Sequence, residues 1–144
     1  MQRLIDIVKN LDDKEIPIVA IVEKNGEVIS CASNKKENFG DVTAHAEILA
    51  IREAEKVLGD WRLEGCSLYV NLEPCPMCAW AIIQSRISNV YFGSYDRNYG
   101  ALGSVLDLRN LYNSNLKVYG GIMEEECNKI LEDYFSEIRR KDAR

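Results

Sequence analysis

Residues 67–78 read SLYVNLEPCPMC and combine a strand pattern with the start of a helix. Residues 67–72 predict a strand, and the next helix is predicted to run from Pro74 to about Arg86, because proline is favoured at the first helical position. Cys75 and Cys78 lie three positions apart, so both sulfur atoms reach one face of that helix. A helix N-terminus favours thiolates over thiols, and thiolates bind metal ions. The segment therefore predicts a strand-to-helix turn that offers two sulfur ligands.

A second segment, Thr43-Ala44-His45-Ala46-Glu47, carries the sole histidine of the chain. It opens a predicted helix over residues 44–58, for which Thr43 is the expected N-cap. A C-x-x-C motif alone also fits a redox pair or half of a structural zinc site, and a lone histidine is more often a packed residue. Together, His45, Cys75 and Cys78 predict one zinc ion with three protein ligands. The fourth position is then left for water, as in catalytic zinc sites.

Glu47 is the candidate for proton transfer at this site. Residues two positions apart do not share a helix face, so His45 and Glu47 must reach the metal from different angles. Two thiolates cancel the charge of Zn²⁺, so the ion should polarise water less than one held by three histidines. A carboxylate that takes a proton from water is then valuable, and we expect Glu47 to act as general base and acid.

The remaining sequence alternates between strand and helix patterns. Helices are predicted near residues 4–11, 104–111 and 123–138, and strands at 16–22, 28–32, 89–93 and 116–119, with a hairpin turn at Asn25-Gly26. This order predicts an α/β sandwich with a largely parallel sheet, in which the initial hairpin supplies one antiparallel pair. A length of 144 residues predicts a single domain over 1–144.

Composition narrows the location and the partners. No segment approaches about eighteen uninterrupted apolar residues, and the N-terminus lacks the layout of a signal peptide, so we expect no membrane partner and a cytoplasmic protein. The net charge of −5 argues mildly against nucleic-acid binding. A basic tip, Arg139 to Arg144, has a solvated helix end as its simpler interpretation. The remaining cysteines, at 31, 66 and 127, are predicted to be core side chains.

His45-Ala46-Glu47 followed by Pro74-Cys75-Pro76-Met77-Cys78 resembles the signature of the cytidine deaminase-like zinc deaminases, in which the glutamate is the acid and base and does not bind the metal. Over about residues 3–140, the chain most resembles the bacterial tRNA-specific adenosine deaminases. The segments that carry this resemblance are 15–18, 41–48, 68–75, 85–87, 92–96 and 103–108. The resemblance implies a three-layer α/β/α sandwich of cytidine deaminase-like type with a five-stranded mixed sheet and an N-terminal antiparallel hairpin.

The same resemblance implies a set of substrate contacts. Asn34 is expected to hydrogen-bond the base and the sugar, the backbone N–H of Ala46 to meet the ring edge, and Asp96 to lie beside the flipped nucleotide. A turn asparagine and a loop carboxylate are the simpler interpretations of Asn34 and Asp96. The resemblance also implies a homodimer whose sites lie close to the subunit boundary.

Four positions depart from the pattern of that family. Val19 stands where glycine is usual and is expected to narrow the pocket floor, while Val42 replaces a proline. Trp80 replaces a small residue, so its large ring must pack near the metal-binding helix, and Asn98 stands where lysine is common.

Three functions follow as hypotheses. The first is deamination of the wobble adenosine in a tRNA anticodon stem-loop, which gives inosine. The second is deamination of a free base or nucleoside of the guanine, cytosine or cytidine type, which the acidic charge, Trp80 and Asn98 favour. The third is a non-catalytic zinc or redox module, against which Glu47 argues because neither role needs that carboxylate.

Overall fold

The computed structural model describes residues 1–142, in which a five-stranded sheet lies between two helical layers. The helices are α1 (Gln2–Lys9), α2 (Lys36–Phe39), α3 (Ala46–Leu58), α4 (Pro76–Gln84), α5 (Leu108–Leu111) and α6 (Glu124–Asp142). The strands are β1 (Val19–Lys24), β2 (Glu27–Ser33), β3 (Cys66–Leu72), β4 (Asn89–Ser94) and β5 (Lys117–Tyr119). Arg144, the last residue of the predicted basic tip, lies outside the described residues.

The sheet is mixed, with strand order β2-β1-β3-β4-β5. The predicted hairpin is confirmed, since Asn25 (φ 52°) and Gly26 (φ 81°) both adopt the left-handed conformation that a tight hairpin turn requires. The hairpin supplies the expected antiparallel pair, but the expectation of a largely parallel sheet was wrong, because β1 also pairs antiparallel with β3. The connection through α3 makes β3 run parallel to β2 but beside β1. Only β3–β4 and β4–β5 are parallel pairs.

Two layers of helices cover the sheet. Helices α3 and α4 pack on one face around a core that includes Val22, Leu68, Ile82 and Phe92. Helices α1 and α6 cover the other face. On α6, the apolar residues Cys127 and Leu131 are buried against the sheet side of the molecule, whereas Phe135 and Ile138 nearer its C-terminus are exposed. No helix within residues 1–142 has both the length and the apolar content to cross a membrane.

Both helices beside the predicted metal site begin two residues later than expected. Thr43 is not the N-cap of α3, because its N–H and hydroxyl both donate to Asp41 Oδ1 (2.8 and 2.7 Å), and His45 occupies the cap position instead. Pro74 remains outside α4, and its carbonyl accepts a hydrogen bond from Ala101 N (2.9 Å). Pro76 is the proline at the start of α4, with Cys75 as N-cap.

Three smaller expectations also differ from the structure. The first strand begins at Val19 rather than Ile16. The helix expected at 104–111 is confined to Leu108–Leu111. Cys31 is exposed, because alternate side chains of the edge strand β2 face solvent, while Cys66 and Cys127 are buried as predicted.

Asn71 is fully buried and ties the start of β1 to the end of β3. Its Oδ1 accepts from Val19 N (2.9 Å) and its Nδ2 donates to the Pro17 carbonyl (2.8 Å). We expect Asn71→Ala to lower the free energy of unfolding by about 1–3 kcal/mol, since the buried N–H of Val19 and the partly buried carbonyl of Pro17 lose their partner. Urea denaturation of the zinc-loaded protein measures the change. The exposed Asn115→Ala is the control, and equal losses in both variants would contradict this role.

Candidate metal centre and active site

The predicted site residues meet at one edge of the sheet, where β2, β3 and β4 end and β1 begins. His45 lies directly before α3, and Cys75 lies directly before α4. Ligand sites of α/β sheets characteristically lie outside the carboxyl ends of the strands. The topology therefore brings together two chain segments that are far apart in the sequence.

Three potential metal ligands converge here, namely His45 Nδ1, Cys75 Sγ and Cys78 Sγ, and all lie within 4.8 Å of one another. His45 Nδ1 is 3.7 Å from Cys75 Sγ and 3.4 Å from Cys78 Sγ. Tetrahedral zinc with Zn–S bonds of about 2.3 Å and Zn–N bonds of about 2.0–2.1 Å separates sulfur and nitrogen by about 3.6 Å. The three side chains therefore fit one zinc ion and leave its fourth position to a non-protein ligand.

The backbone explains how His45 and Glu47 both reach the site although they lie two positions apart. His45 has an extended conformation (φ −73°, ψ 152°) and so stands outside the helix as its N-cap. Glu47 lies in the first turn of α3. The change from extended to helical backbone turns the two side chains toward one point from different directions. A regular helix through both residues would have separated them.

Cys75 and Cys78 share their protons unequally. The hydrogen bond with Cys78 lowers the pKa of the Cys75 thiol to about 4. The same hydrogen bond, together with burial, raises the pKa of the Cys78 thiol. The hydrogen bond with Cys75 also raises the pKa of His45. Metal binding needs both sulfurs as thiolates, so it must displace the proton that remains on this pair.

Glu47 is a buried carboxyl group, with only 5% of the residue exposed. Burial raises the pKa of Glu47 to about 7. A divalent cation nearby opposes that rise, because it favours the charged carboxylate. Burial and a bound cation thus act on the pKa of Glu47 in opposite directions. A pKa near neutral pH lets the carboxyl group both accept and donate a proton, as a general acid and base must.

A cavity of about 390 Å³ lies directly over these groups. This volume is near the lower end of the range for small-molecule sites, about 300–1,000 Å³. Its wall comes from the segments that border each strand end: Ile16, Ile18, Asn34, Lys36, His45, Ala46, Glu47, Leu72, Glu73, Cys75, Asp96 and Tyr99. The cavity is therefore large enough for one small polar ligand.

The structure brings all seven predicted site residues to this cavity or to its floor. Asn34 is buried where β2 ends, and its N–H donates to the Ile18 carbonyl (3.1 Å). Ala46 is the first residue of α3, where helix geometry leaves the backbone N–H without an intrahelical partner. Asp96 is half-buried, and its Oδ1 accepts from the N–H groups of Asn98 and Tyr99 (both 3.0 Å). Asp96 thus stabilises its own loop while it lines the cavity.

Of the four departures from the family pattern, Asn98 lies nearest the cavity, since it lines a groove that shares Asp96 and Tyr99 with it. Val19 packs with Leu4 and Val8 on the α1 face, so the expectation that it narrows the pocket floor was wrong. Trp80 is 37% exposed on α4 and packs against Tyr112, with ring centroids 4.2 Å apart. Val42 is exposed.

Glu73 and Tyr99 are two cavity residues that the sequence interpretation did not assign. Glu73 is an acid next to the Pro74-Cys75 motif, and Tyr99 is an aromatic residue in a glycine-containing loop. These sequence positions could have marked both residues as candidates for the site. Their importance depends on contacts between β3 and the loop after β4, which the sequence does not reveal.

The first 94 residues match the family described as "Cytidine and deoxycytidylate deaminase zinc-binding region". The chain belongs to this family. Its predicted zinc cofactor and its prediction as a deaminase enzyme are thereby confirmed, since the family is a zinc-binding deaminase domain and the three ligand atoms converge as the cofactor requires.

Individual relatives agree with this assignment. The chain is 44% identical over 144 residues to the tRNA-specific adenosine deaminase of Bacillus subtilis (strain 168), covering 98% of this chain and 89% of the relative. A solved structure from work on A-to-I editing by tRNA:A34 deaminases is 42% identical, with a TM-score of 0.75 and coverage of 81% and 86%. The guanine deaminase of Nitrosomonas europaea, at 22% identity, a TM-score of 0.80 and coverage of 92% and 81%, shares the fold alone. The predicted cytidine deaminase-like fold is confirmed.

Removal of any one ligand should abolish stoichiometric zinc binding. We expect about one zinc ion per chain in the wild type and much less in His45→Ala, Cys75→Ala and Cys78→Ala, because two protein ligands hold the ion poorly. Atomic absorption on dialysed protein measures the content. Cys31→Ser removes an exposed cysteine outside the cluster and should keep its zinc. Loss of zinc from that control, or its retention in the three ligand variants, would refute the assignment.

Proposed function

We propose that this enzyme hydrolyses the 6-amino group of the wobble adenosine in a tRNA anticodon loop, giving inosine and ammonia. The observation that carries the proposal is the cavity in which a buried carboxyl group, Glu47, and three converging metal ligands share one floor. Hydrolytic deamination needs an activated water and a group that moves protons. A cavity of about 390 Å³ suits one extruded nucleotide and excludes a duplex.

Zinc, when bound by His45, Cys75 and Cys78, supplies the Lewis acidity that polarises water. Glu47 accepts a proton from the attacking water as the C–O bond forms at C6 of the purine. The same carboxyl group then delivers a proton to the ring nitrogen N1. Glu47 then takes the proton of the new C6 hydroxyl and passes it to the amino group, so that ammonia leaves as the C–N bond breaks and the C6 carbonyl forms. Adenosine and water thereby become inosine and ammonia.

The remaining cavity residues suit substrate positioning. The free N–H of Ala46 points from a helix N-terminus, which makes it a good donor to an acceptor on the ring edge. Asn34 can hydrogen-bond the base and the sugar because its side chain offers both a donor and an acceptor. Asp96 forms part of the wall beside the nucleotide. We assign these three roles to substrate binding and none of them to the chemical step.

A groove that adjoins the cavity supports RNA as the substrate. The groove shares Ile16, Leu72, Asp96 and Tyr99 with the cavity and continues along α6. Its walls combine aromatic residues with arginines: Tyr95, Tyr99, Phe135, Arg97 and Arg139. Aromatic rings stack on unpaired bases and arginines contact phosphates, so the groove suits the single-stranded neighbours of a flipped nucleotide. Asp96 and Glu132 also line the groove, so its two arginines balance two acids, and the groove is less acidic than the whole chain, whose net charge is −5.

The tRNA-specific deaminase relative from Bacillus subtilis supports the same substrate, because the similarity extends over 98% of this chain. We further propose that residues 1–144 form one domain, that the enzyme acts in the cytoplasm on tRNA, and that it forms a homodimer. An exposed apolar patch supports the dimer: Trp80, Leu111 and Tyr112 lie on or beside α4 and α5. Aromatic and apolar side chains of this kind are enriched at subunit interfaces.

Replacement of Glu47 tests the proton-transfer role. We expect Glu47→Gln to keep its zinc and to lose about 10²–10⁴-fold in kcat, because the amide cannot take a proton from water. Single-turnover kinetics and metal analysis on the same sample measure both. Glu53→Gln, an exposed acid on the same helix, is the matched control and should retain full activity. Equal turnover by wild type and Glu47→Gln would sink this mechanism.

The substrate is tested by ammonia release and inosine formation on an anticodon stem-loop with adenosine at the wobble position. Free adenine, guanine, cytosine and their nucleosides are assayed in parallel. We expect turnover of the stem-loop alone, with affinity that falls steeply as salt rises, because phosphate contacts release counterions. Turnover confined to a free base or nucleoside would exclude tRNA as the substrate and support the small-molecule hypothesis. The proposed role of Glu47 in proton transfer would still hold.

The groove is tested in the same assay with the double variant Arg97→Ala/Arg139→Ala. We expect a higher KM for the stem-loop and a shallower salt dependence, since two cations near the RNA are lost. Arg62→Ala, an exposed arginine that stacks on Trp61, is the matched control. A KM for the double variant equal to that of the control would exclude the groove from RNA binding.

A further inference from the structure

Glu73 is a buried carboxylate for which the proposed mechanism has no role. Only 2% of the residue is exposed, and none of the ion pairs among the described side chains includes it. It lies between the end of β3 and the zinc ligand Cys75. A buried carboxylate without a cationic partner is tolerated when hydrogen bonds satisfy its oxygens. The donors to Glu73 therefore indicate what it holds in place.

All four hydrogen bonds to this carboxylate come from the loop that follows β4. Oε1 accepts from Asp96 N (3.1 Å) and from the Ser104 hydroxyl. Oε2 accepts from Leu102 N (3.2 Å) and Ser104 N (3.1 Å). The donors span residues 96–104, so one side chain gathers both ends of the loop. We name residues 95–104 the wall loop.

The wall loop passes in direct contact with Glu73. A Cβ atom added to Gly100 would lie 2.4 Å from Glu73 Cδ and 2.5 Å from the Asp96 carbonyl oxygen. No side chain fits between the loop and the carboxylate, so glycine is required there by close approach. The loop is thereby fixed against the carboxylate by packing as well as by hydrogen bonds.

Two residues of the wall loop, Asp96 and Tyr99, line the cavity. The backbone N–H of Glu73 donates to the Ser94 carbonyl (2.8 Å), which ties the same residue to the end of β4. The zinc ligand Cys75 follows Glu73 by two positions in the sequence. Glu73 thus connects the segment that holds the metal to the segment that forms the substrate wall.

We propose that Glu73 is a positioning residue, which sets the distance between the zinc ligands and the wall loop and so determines substrate affinity. This inference rests on the proposed function, because it takes the cavity as the substrate site. Glu73 acts through Asp96 and Tyr99 and takes no part in proton transfer. Its loss should therefore weaken substrate binding and leave the chemical step unchanged.

Glu73→Gln tests the proposal, because it keeps the shape but turns an NH₂ group toward backbone N–H donors. We expect KM to rise about tenfold, with kcat and zinc content unchanged, as hydrogen bonds to a charged group are lost. Amide hydrogen exchange of residues 95–104 should accelerate while that of α3 stays the same. Gly100→Ala, which displaces the loop with the carboxylate intact, should reproduce both effects.

Two controls separate positioning from general destabilisation. Ser30→Ala removes a buried hydrogen bond to the Ala50 carbonyl (2.7 Å), away from the wall loop, and should leave KM unchanged. Glu15→Gln alters another buried carboxylate, which accepts from Glu37 N (2.9 Å) and Asn38 N (3.3 Å). It should accelerate exchange in α2 and leave residues 95–104 protected.

The proposal is overturned if Glu73→Gln lowers kcat at constant KM, or if exchange of the wall loop does not change. The exchange measurement needs no substrate, so it holds even if the wild type fails to act on the stem-loop. Should the wild type turn over only a nucleoside, the RNA substrate fails, and the comparison of KM with kcat is made with that nucleoside.

Discussion

The convergence of two helix N-termini on one metal is the constraint on which the rest of the structure depends. His45 and Cys75 are both N-cap residues, so α3 and α4 must begin at the same edge of the sheet. The strands that precede these helices, β2 and β3, must therefore both end at this edge. They do so because the connection through α3 makes β3 run parallel to β2. Backbone N–H groups in both first turns hydrogen-bond acidic side chains there, that of Cys78 to the Cys75 sulfur and that of Glu47 to its own carboxylate, and these contacts stabilise negative charge.

Three acids, Glu15, Glu47 and Glu73, are buried near the site, and their burial is compensated in two ways. A zinc ion held by His45, Cys75 and Cys78 would compensate the charge of Glu47. Glu15 and Glu73 accept backbone N–H groups of α2 and of the loop after β4. Both segments contribute to the cavity wall, α2 through Lys36 and the loop after β4 through Asp96 and Tyr99. The cavity is thus framed by loops that are organised around carboxylates rather than around apolar side chains.

The differences between prediction and structure lie at element boundaries and have local causes. Thr43 has the right chemistry for an N-cap, but its hydroxyl is already bound to Asp41. Pro74 and Pro76 both suit a first helical position, and the contact between Pro74 and Ala101 selects the later start. The second antiparallel pair was missed because the pattern of β1 does not say which strand lies beside it.

The sequence by itself determined the fold class, the three zinc ligands and the carboxylate Glu47, because metal ligation demands particular side chains at particular spacings and helix starts carry local signals. Through the family resemblance it also pointed to Asn34, Ala46 and Asp96, which line the cavity, while their contacts with a substrate stay a prediction. Only the tertiary structure decided that Trp80 packs on Tyr112 away from the cavity and that Val19 packs against α1. The linkage of Glu73 to residues 96–104 was likewise invisible, because it depends on long-range contacts between strand ends. Such contacts follow from strand order and loop path, which local periodicity does not encode.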